Sequence, residues 1–233
     1  MDFSFTPDQD QLRSHLQTLL REVCPAQYAA RCDEDARAPR EAYDALASNG
    51  WFGLIVPPEY GGSGGSAMEL AILLEECGYA FEELAMWVFR TLTYGGYAVM
   101  RDGTTEQKRT LLPRVAKGEI SVCFGITEPQ SGSDAAALRT KAEIDGDHFV
   151  INGRKQFISG FDIADYALVA LRTSQGAKKQ MGISTLLIDT KTPGIEAKRI
   201  PTLGQHSIGT TEVTFTNVRV PRSSLLGELD HGW

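Results

Sequence analysis

The sequence predicts an α+β fold, an N-terminal all-α helical domain followed by a small β-barrel domain, from two changes of pattern along the chain. Up to residue 118, apolar residues recur at helical spacing behind repeated N-cap signatures. From Ile120 the period becomes two, and the turn pairs Asp145–Gly146 and Asn152–Gly153 appear. The domains are therefore drawn at 1–118 and 119–233, and a content of 42% hydrophobic residues is ample to give each a core.

The helical half reads in order. Thr6, Pro7 and Gln9 form a capping box with proline at the first helical position, ahead of Leu12, Leu16, Leu19 and Val23. A second helix is predicted from Pro39 to Asn49, with Tyr43 and Leu46 inward and Gly50 as its stop. The run WFGLIVPPEYGGSGG then reads as extended chain broken by prolines and a glycine loop. Ser66 and Glu69 make another capping box, followed by Leu70, Leu73, Leu74 and Cys77 on one helical face. Further helices are predicted around Glu82 to Met100 and from Thr104, paired with Gln107, to Lys117 and Gly118. In the second half, AEI, HFVI and RKQFI should form a meander turning at the two Gly pairs. YALVALR, STLLID, IEAKRI, EVTFT and VRVP read as further strands of a small barrel or sandwich.

Charge and motif content exclude several functions. A formal net charge of −7 argues against a nucleic-acid surface, which needs a basic stripe to neutralise phosphates. No apolar run is long enough to span a membrane, and the N-terminal MDFSFTPDQDQ is acidic and polar, unlike a signal peptide, so a cytoplasmic location is expected. Cys24, Cys32, Cys77 and Cys123 lack a CxxC pair and read as reduced, buried thiols. His15, His148, His206 and His231 show no metal-ligand spacing, and no GxGxxG follows a strand. Gly61, Ser63 and Gly65 satisfy GxSxG, but Pro57, Pro58, Glu59 and Tyr60 precede them where a nucleophile elbow needs a strand, and Ser66 already caps the helix.

The chemistry concentrates in Phe124 to Asp134, FGITEPQSGSD, and in Gln156 to Gly160, QFISG. In the first, Val122, Phe124 and Ile126 alternate with smaller residues as a strand does, until Pro129 interrupts the ladder. Ser131, Gly132, Ser133 and Asp134 then offer hydroxyl and amide donors suited to a planar, electron-rich ligand. An ordinary strand-to-loop junction would give the same pattern.

The run ITEPQSGSDAAAL resembles the signature of the acyl-CoA dehydrogenase family, [ST]EPxxGSD followed by small residues. INGRKQFISGFDIADY and PGIEAKRIPTLGQHSIGTTEVTFTNVRVP extend the resemblance over essentially the whole chain. It implies a helical domain, a middle β-barrel and a C-terminal four-helix domain, with FAD as cofactor and an acyl-CoA thioester as substrate. The reaction implied is α,β-dehydrogenation in fatty acid metabolism: a base removes the α-proton, hydride passes from Cβ to flavin N5, and electrons leave to an acceptor of the electron-transfer flavoprotein type.

Carried over residue by residue, the resemblance puts Phe124, Ile126 and Thr127 along the flavin ring, with main-chain groups and the Thr127 hydroxyl at the pyrimidine edge. Phe157 takes the position of the family's ring-packing aromatic, often Trp; Ile158 follows it, and Ser159 holds the [ST] position whose hydroxyl reaches N5. Ser133 is placed where the pantetheine passes and the flavin phosphates begin, whereas Glu128 is expected to be structural. Related proteins resemble the chain as far as LGE and then enter their C-terminal helices, where the family's base and part of its FAD site lie. No residue here is therefore named as catalytic base. The implied alternatives are a fragment, a site completed by a second polypeptide in a homo- or hetero-oligomer, a non-catalytic FAD- or CoA-binding subunit, or an oxidase or monooxygenase of the same family.

Overall fold

The computed structural model describes residues 4–233; the first three residues of the N-terminal stretch lie outside them. Helix α1 (Pro7–Val23) begins at the expected capping box, Thr6 with Gln9, and α4 (Ala67–Ala80) at Ser66 with Glu69. Between them lie α2 (Ala26–Glu34) and α3 (Arg40–Ser48), the latter stopped by Gly50 at φ 80°. Helix α2 is an addition to the sequence reading: Pro25 supplies no side-chain cap, and only Cys32 of its residues is buried. The stretch read as extended after Gly50 is instead two short 3₁₀ turns, Trp51–Gly53 and Pro58–Tyr60, around a buried Phe52 to Val56.

The helix expected near Glu82 to Met100 is continuous but not regular. Helix α5 (Glu82–Arg90) passes into a π-helical segment, Thr91–Tyr97, and then α6 (Ala98–Asp102). The wide turn has a packing reason: at Gly95 a Cβ would lie 2.6 Å from Val122 Cγ2, so the helix approaches the first strand at a residue without a side chain. Helix α7 (Thr105–Ala116) closes the domain from its own capping box at Thr104. Its core joins Leu16, Tyr43, Leu73 and Trp87, with Trp87 stacked on Tyr43 at 4.1 Å between ring centroids.

The second half holds β1 (Val122–Gly125), β2 (Lys141–Asp145), β3 (His148–Ser159), β4 (Tyr166–Arg172), β5 (Ile183–Asp189), β6 (Ile195–Arg199), β7 (Thr210–Pro221) and β8 (Leu225–Leu226). They form one sheet in the order β6-β7-β3-β2-β4-β5-β8, with β1 also on β4. The sheet does not close: β6 and β8 are its free edges, so the expected barrel is an open, folded sheet. β1 and β2 take successive stretches of one side of β4, and β2 meets it only at Lys141 and Arg172. That corner folds the sheet into two layers, and Phe149, Ile151 and Phe215 face Val169, Leu171 and Leu186 in a shared core.

Of the two expected hairpin turns, one forms and the other does not. Asp145–Gly146 is a true hairpin turn between β2 and β3. Asn152–Gly153 is not: β3 runs straight through it, with a register shift against β7 between Ile151 and Gly153. Gly153 is needed there because a Cβ would sit 2.7 Å from the Thr140 backbone. Likewise EVTFT and VRVP are one strand, β7, which passes Asn217 in a left-handed conformation.

Candidate functional site

Strand β1 delivers the first segment and the end of β3 delivers the second, and a buried ion pair fixes them side by side. Lys155 Nζ donates to Glu128 Oε1 at 2.8 Å and to the Ile126 carbonyl at 3.1 Å. The Gln156 amide donates to the Thr127 carbonyl at 2.8 Å. Glu128 Oε2 accepts from the Arg139 amide at 2.7 Å and from Gln130 Nε2 at 2.6 Å, and Oε1 also accepts from the Thr140 amide at 2.9 Å. Burial pushes the Glu128 carboxyl up, but Lys155 and these donors outweigh it and hold the group below its ordinary range. A carboxylate so enclosed, 3% exposed and with both oxygens taken by Lys155 and neighbouring donors, fits the structural role expected of it.

Around this post the expected site residues separate into core and presented groups. Ile158 is buried, Ile126 and Phe124 are half-buried, and Phe157 is 58% exposed in a left-handed conformation at φ 59°. An aromatic residue forced into that conformation and left outside the core is unlike the barrel-core phenylalanine that the bare sequence also allowed. The β3–β7 register breaks between Lys155 and Ile158, which turns Phe157 outward. Gly160 is left-handed too, at φ 64°, so Ile158 and Ser159 lie between two left-handed residues.

The hydroxyls of Thr127, Ser133 and Ser159 make no hydrogen bond among the described residues, whereas Ser131 Oγ in the same loop donates to the Asp134 carbonyl at 2.8 Å. Ser131 thus does the loop-capping, and the three residues singled out for a ligand are left free for one. Main-chain groups of Thr127 and Ser159 are in part committed: Thr127 to Gln156, and the Ser159 carbonyl to Arg90 Nη1.

The helical domain contributes further aromatic groups beside the first segment. The π-helical segment turns Tyr94 onto Phe124, with ring centroids 4.8 Å apart and planes at 26°, and Phe89 meets Tyr94 edge-on at 5.7 Å. Phe124 therefore has an aromatic wall behind it. Trp87 is buried in the core, whereas Tyr97 is 57% exposed. Arg90, missed altogether, is buried against the second segment, where a Cβ on Gly160 would lie 2.5 Å from Nη2. The only signal for it was an arginine on the apolar face of a helix. Loop 200–209 is tied to α5 by Glu83, which accepts from Ser207 Oγ and the Ile208 amide, both at 2.7 Å.

No group of three or more metal-ligating side chains occurs among the described residues, nor a helix long and apolar enough to cross a membrane. The four cysteines are free and buried, and burial pushes the Cys123 thiol up to about 12 and the Cys24 thiol to about 11. Ser63 of the GxSxG match lies in a turn whose backbone is pinned to Gly53, with no strand before it.

Residues 6–119 match the acyl-CoA dehydrogenase N-terminal domain and residues 123–218 the acyl-CoA dehydrogenase middle domain. The chain belongs to the acyl-CoA dehydrogenase family. It is 36% identical to acyl-CoA dehydrogenase FadE26 of Mycobacterium tuberculosis over all of this chain and 59% of that protein. Among solved structures it is similar to the glutaryl-coenzyme A dehydrogenase–glutaryl-CoA complex, with a TM-score of 0.93 and 30% identity over all of this chain and 59% of that one. The ChsE4–ChsE5 complex of M. tuberculosis gives a TM-score of 0.85 and 35% identity, again over all of this chain and 59% of that one. The chain thus spans about three-fifths of the length of these acyl-CoA dehydrogenase relatives.

Proposed function

We propose that the chain carries the FAD-contacting half of an acyl-CoA dehydrogenase site that oxidises the α,β-bond of an acyl-CoA thioester. The observation that carries this reading is the set of three unpartnered hydroxyls, Thr127, Ser133 and Ser159, on two segments locked together by Glu128 and Lys155. Bound FAD would supply the two-electron acceptor. The donor set fits it: a planar ring edge needs several short, fixed donors, and Ser159 ends β3 while Thr127, just past β1, is held to Gln156 through its carbonyl. Thr127 would donate at the pyrimidine edge and Ser159 beside N5, where donors stabilise the charge that builds up in the reaction more than the starting state. Phe124, Ile126, Phe157 and Ile158 would close the apolar walls, excluding water, and Ser133 would hold the pantetheine where it passes the phosphates.

This reading assigns the α-proton acceptor to no described residue, and so calls for further groups to complete the reaction. A heteromeric assembly has specific support, because the ChsE4–ChsE5 structure that this chain resembles is a complex of two named components. In that reading the chain would be the FAD- and CoA-binding partner, and electrons would leave to an electron-transfer flavoprotein-type acceptor. Titrating the purified chain with FAD and recording its absorption spectrum tests the proposal. Flavin bands at one equivalent that shift on adding an acyl-CoA support the half-site. A protein that stays colourless both alone and with a co-expressed partner counts against it.

A further inference from the structure

Arg90 is the last residue of α5 and is buried to 4% exposure at the junction of the two domains. Its Nε donates to the Met86 carbonyl at 3.1 Å and its Nη1 to the Ser159 carbonyl. Among the described residues no carboxylate lies within ion-pairing distance of it; the neighbouring Asp162 is taken by Arg199 at 2.7 Å. Nor does a helix terminus compensate it, because the chain continues helically through Thr91–Tyr97 into α6, and dipole stabilisation fades beyond a helix's last turn. A buried cation satisfied only by neutral carbonyls is costly unless an opposite charge comes to meet it.

The position of the guanidinium says which charge. It presses on Gly160, where a Cβ would come within 2.5–2.9 Å of Nη2, Nη1 and Cζ, and it holds the carbonyl of Ser159, whose hydroxyl is free. The cation therefore lies directly behind the turn that presents Ser159.

We propose that Arg90 is a positioning residue that favours reduced, anionic FAD over oxidised FAD, as the counter-charge behind the Ser159 turn. The inference rests on the flavin reading above. Two electrons and one proton convert oxidised FAD into its reduced monoanion, and the site gains one negative charge that Arg90 meets at fixed distance. In a partly dry site a preset cation needs no reorganisation, so its effect falls on the charged state alone.

The test is the ratio of dissociation constants for oxidised and reduced FAD, measured anaerobically on the full chain, with its partner subunit where FAD binding requires one. Dithionite supplies the electrons and buffer the proton. Arg90→Gln keeps a donor for the Ser159 carbonyl without the charge, Arg90→Met removes both, and Arg90→Lys keeps charge. Both neutral variants should weaken reduced FAD about tenfold more than oxidised FAD, equivalent to a two-electron potential lower by ~30 mV. Arg90→Lys should keep the wild-type ratio within about threefold. Equal weakening of both states by Arg90→Gln, or no weakening, overturns the proposal and leaves Arg90 a structural clasp. A wild type that binds FAD in neither state overturns the flavin reading itself, and this inference with it. Should Arg90→Met fail to fold, the Gln and Lys pair still decides.

Discussion

Lys155 and Glu128 meet at 2.8 Å with side chains only 1% and 2% exposed, and this pair joins the segments Phe124 to Asp134 and Gln156 to Gly160. Each half of the pair sits close to a candidate site residue: Glu128 follows Thr127, and Lys155 lies two positions before Phe157. A rigid post between them sets the spacing of the unpartnered Thr127 and Ser159 hydroxyls, which a flexible loop pair could not do.

Removing one partner should cost far more than the pair contributes. Glu128→Gln leaves the Lys155 ammonium buried without a counter-charge and should lower stability by about 3–5 kcal/mol at neutral pH. The pH dependence has a definite sign. Because the folded carboxyl is held below its ordinary range, the unfolded chain binds the proton first as pH falls. The contribution of Glu128 is therefore complete above the unfolded value of about 4.3 and is lost as pH falls through the lower folded value. Urea unfolding of wild type and variant from pH 7 to pH 3 should show the difference between them shrinking only in the acid limb. A difference constant across that range would remove the pair from the account.

Gly160 answers to two constraints at once, a φ of 64° and the Arg90 guanidinium where a Cβ would go. Gly160→Ala should destabilise by about 2–3 kcal/mol, combining left-handed strain with displacement of the arginine. The two parts separate in a double-mutant cycle. With Arg90→Met in the background, the alanine should cost less by at least about 0.5 kcal/mol, since only backbone strain remains. Additive costs, read from denaturant midpoints, would show that Arg90 yields freely to a methyl group.

The domain junction depends on Glu83 in the same way. Its carboxylate takes the Ser207 hydroxyl and the Ile208 amide at 2.7 Å in a buried position, pinning loop 200–209 to α5. Glu83→Ala strands both donors and should cost about 2–4 kcal/mol. Hydrogen exchange locates the effect: the Ile208 amide should lose protection while amides of β4 and β5 keep theirs. Uniform loss across both layers of the sheet would mean that the loop is not a separate clasp.

Much of this architecture is written locally in the chain, and its exceptions have physical causes. The capping boxes at Thr6, Ser66 and Thr104 each start a helix where expected, because a cap is decided within a few residues. Asn152–Gly153 misled because the pair that makes a hairpin also suits a register shift, and only the Thr140 backbone packed against Gly153 selects between them. The barrel failed to close for a similarly non-local reason: β6 and β8 lie at opposite ends of the strand order, and no strand-level pattern encodes whether they meet. At the candidate site, the motif singled out Thr127 and Ser159, and the structure leaves both hydroxyls without a partner among the described residues. Arg90 and Tyr94 were not legible in the sequence, since one becomes informative only through its burial against Gly160 and the other through a π turn that a 3.6-residue period cannot anticipate.

The sharpest prediction concerns Ser159 and Thr127 themselves. Their hydroxyls have no partner within the described chain, so deleting either should leave folding stability within about 0.5 kcal/mol of wild type. If they serve a flavin, each loss should instead appear in cofactor binding, by roughly 0.5–1.5 kcal/mol or about two- to tenfold in dissociation constant. The two residues should also differ from each other. Ser159→Ala, which the flavin reading puts beside the hydride-accepting position, should slow flavin reduction by an acyl-CoA more than it weakens binding; Thr127→Ala should change the affinity for reduced flavin most. Ser131→Ala is the control, because its hydroxyl caps the loop at the Asp134 carbonyl and its loss should lower the melting temperature instead. A Ser159→Ala protein that is destabilised like Ser131→Ala, yet binds and reduces flavin as wild type does, would show that Ser159 is a turn serine and that the second segment is scaffold.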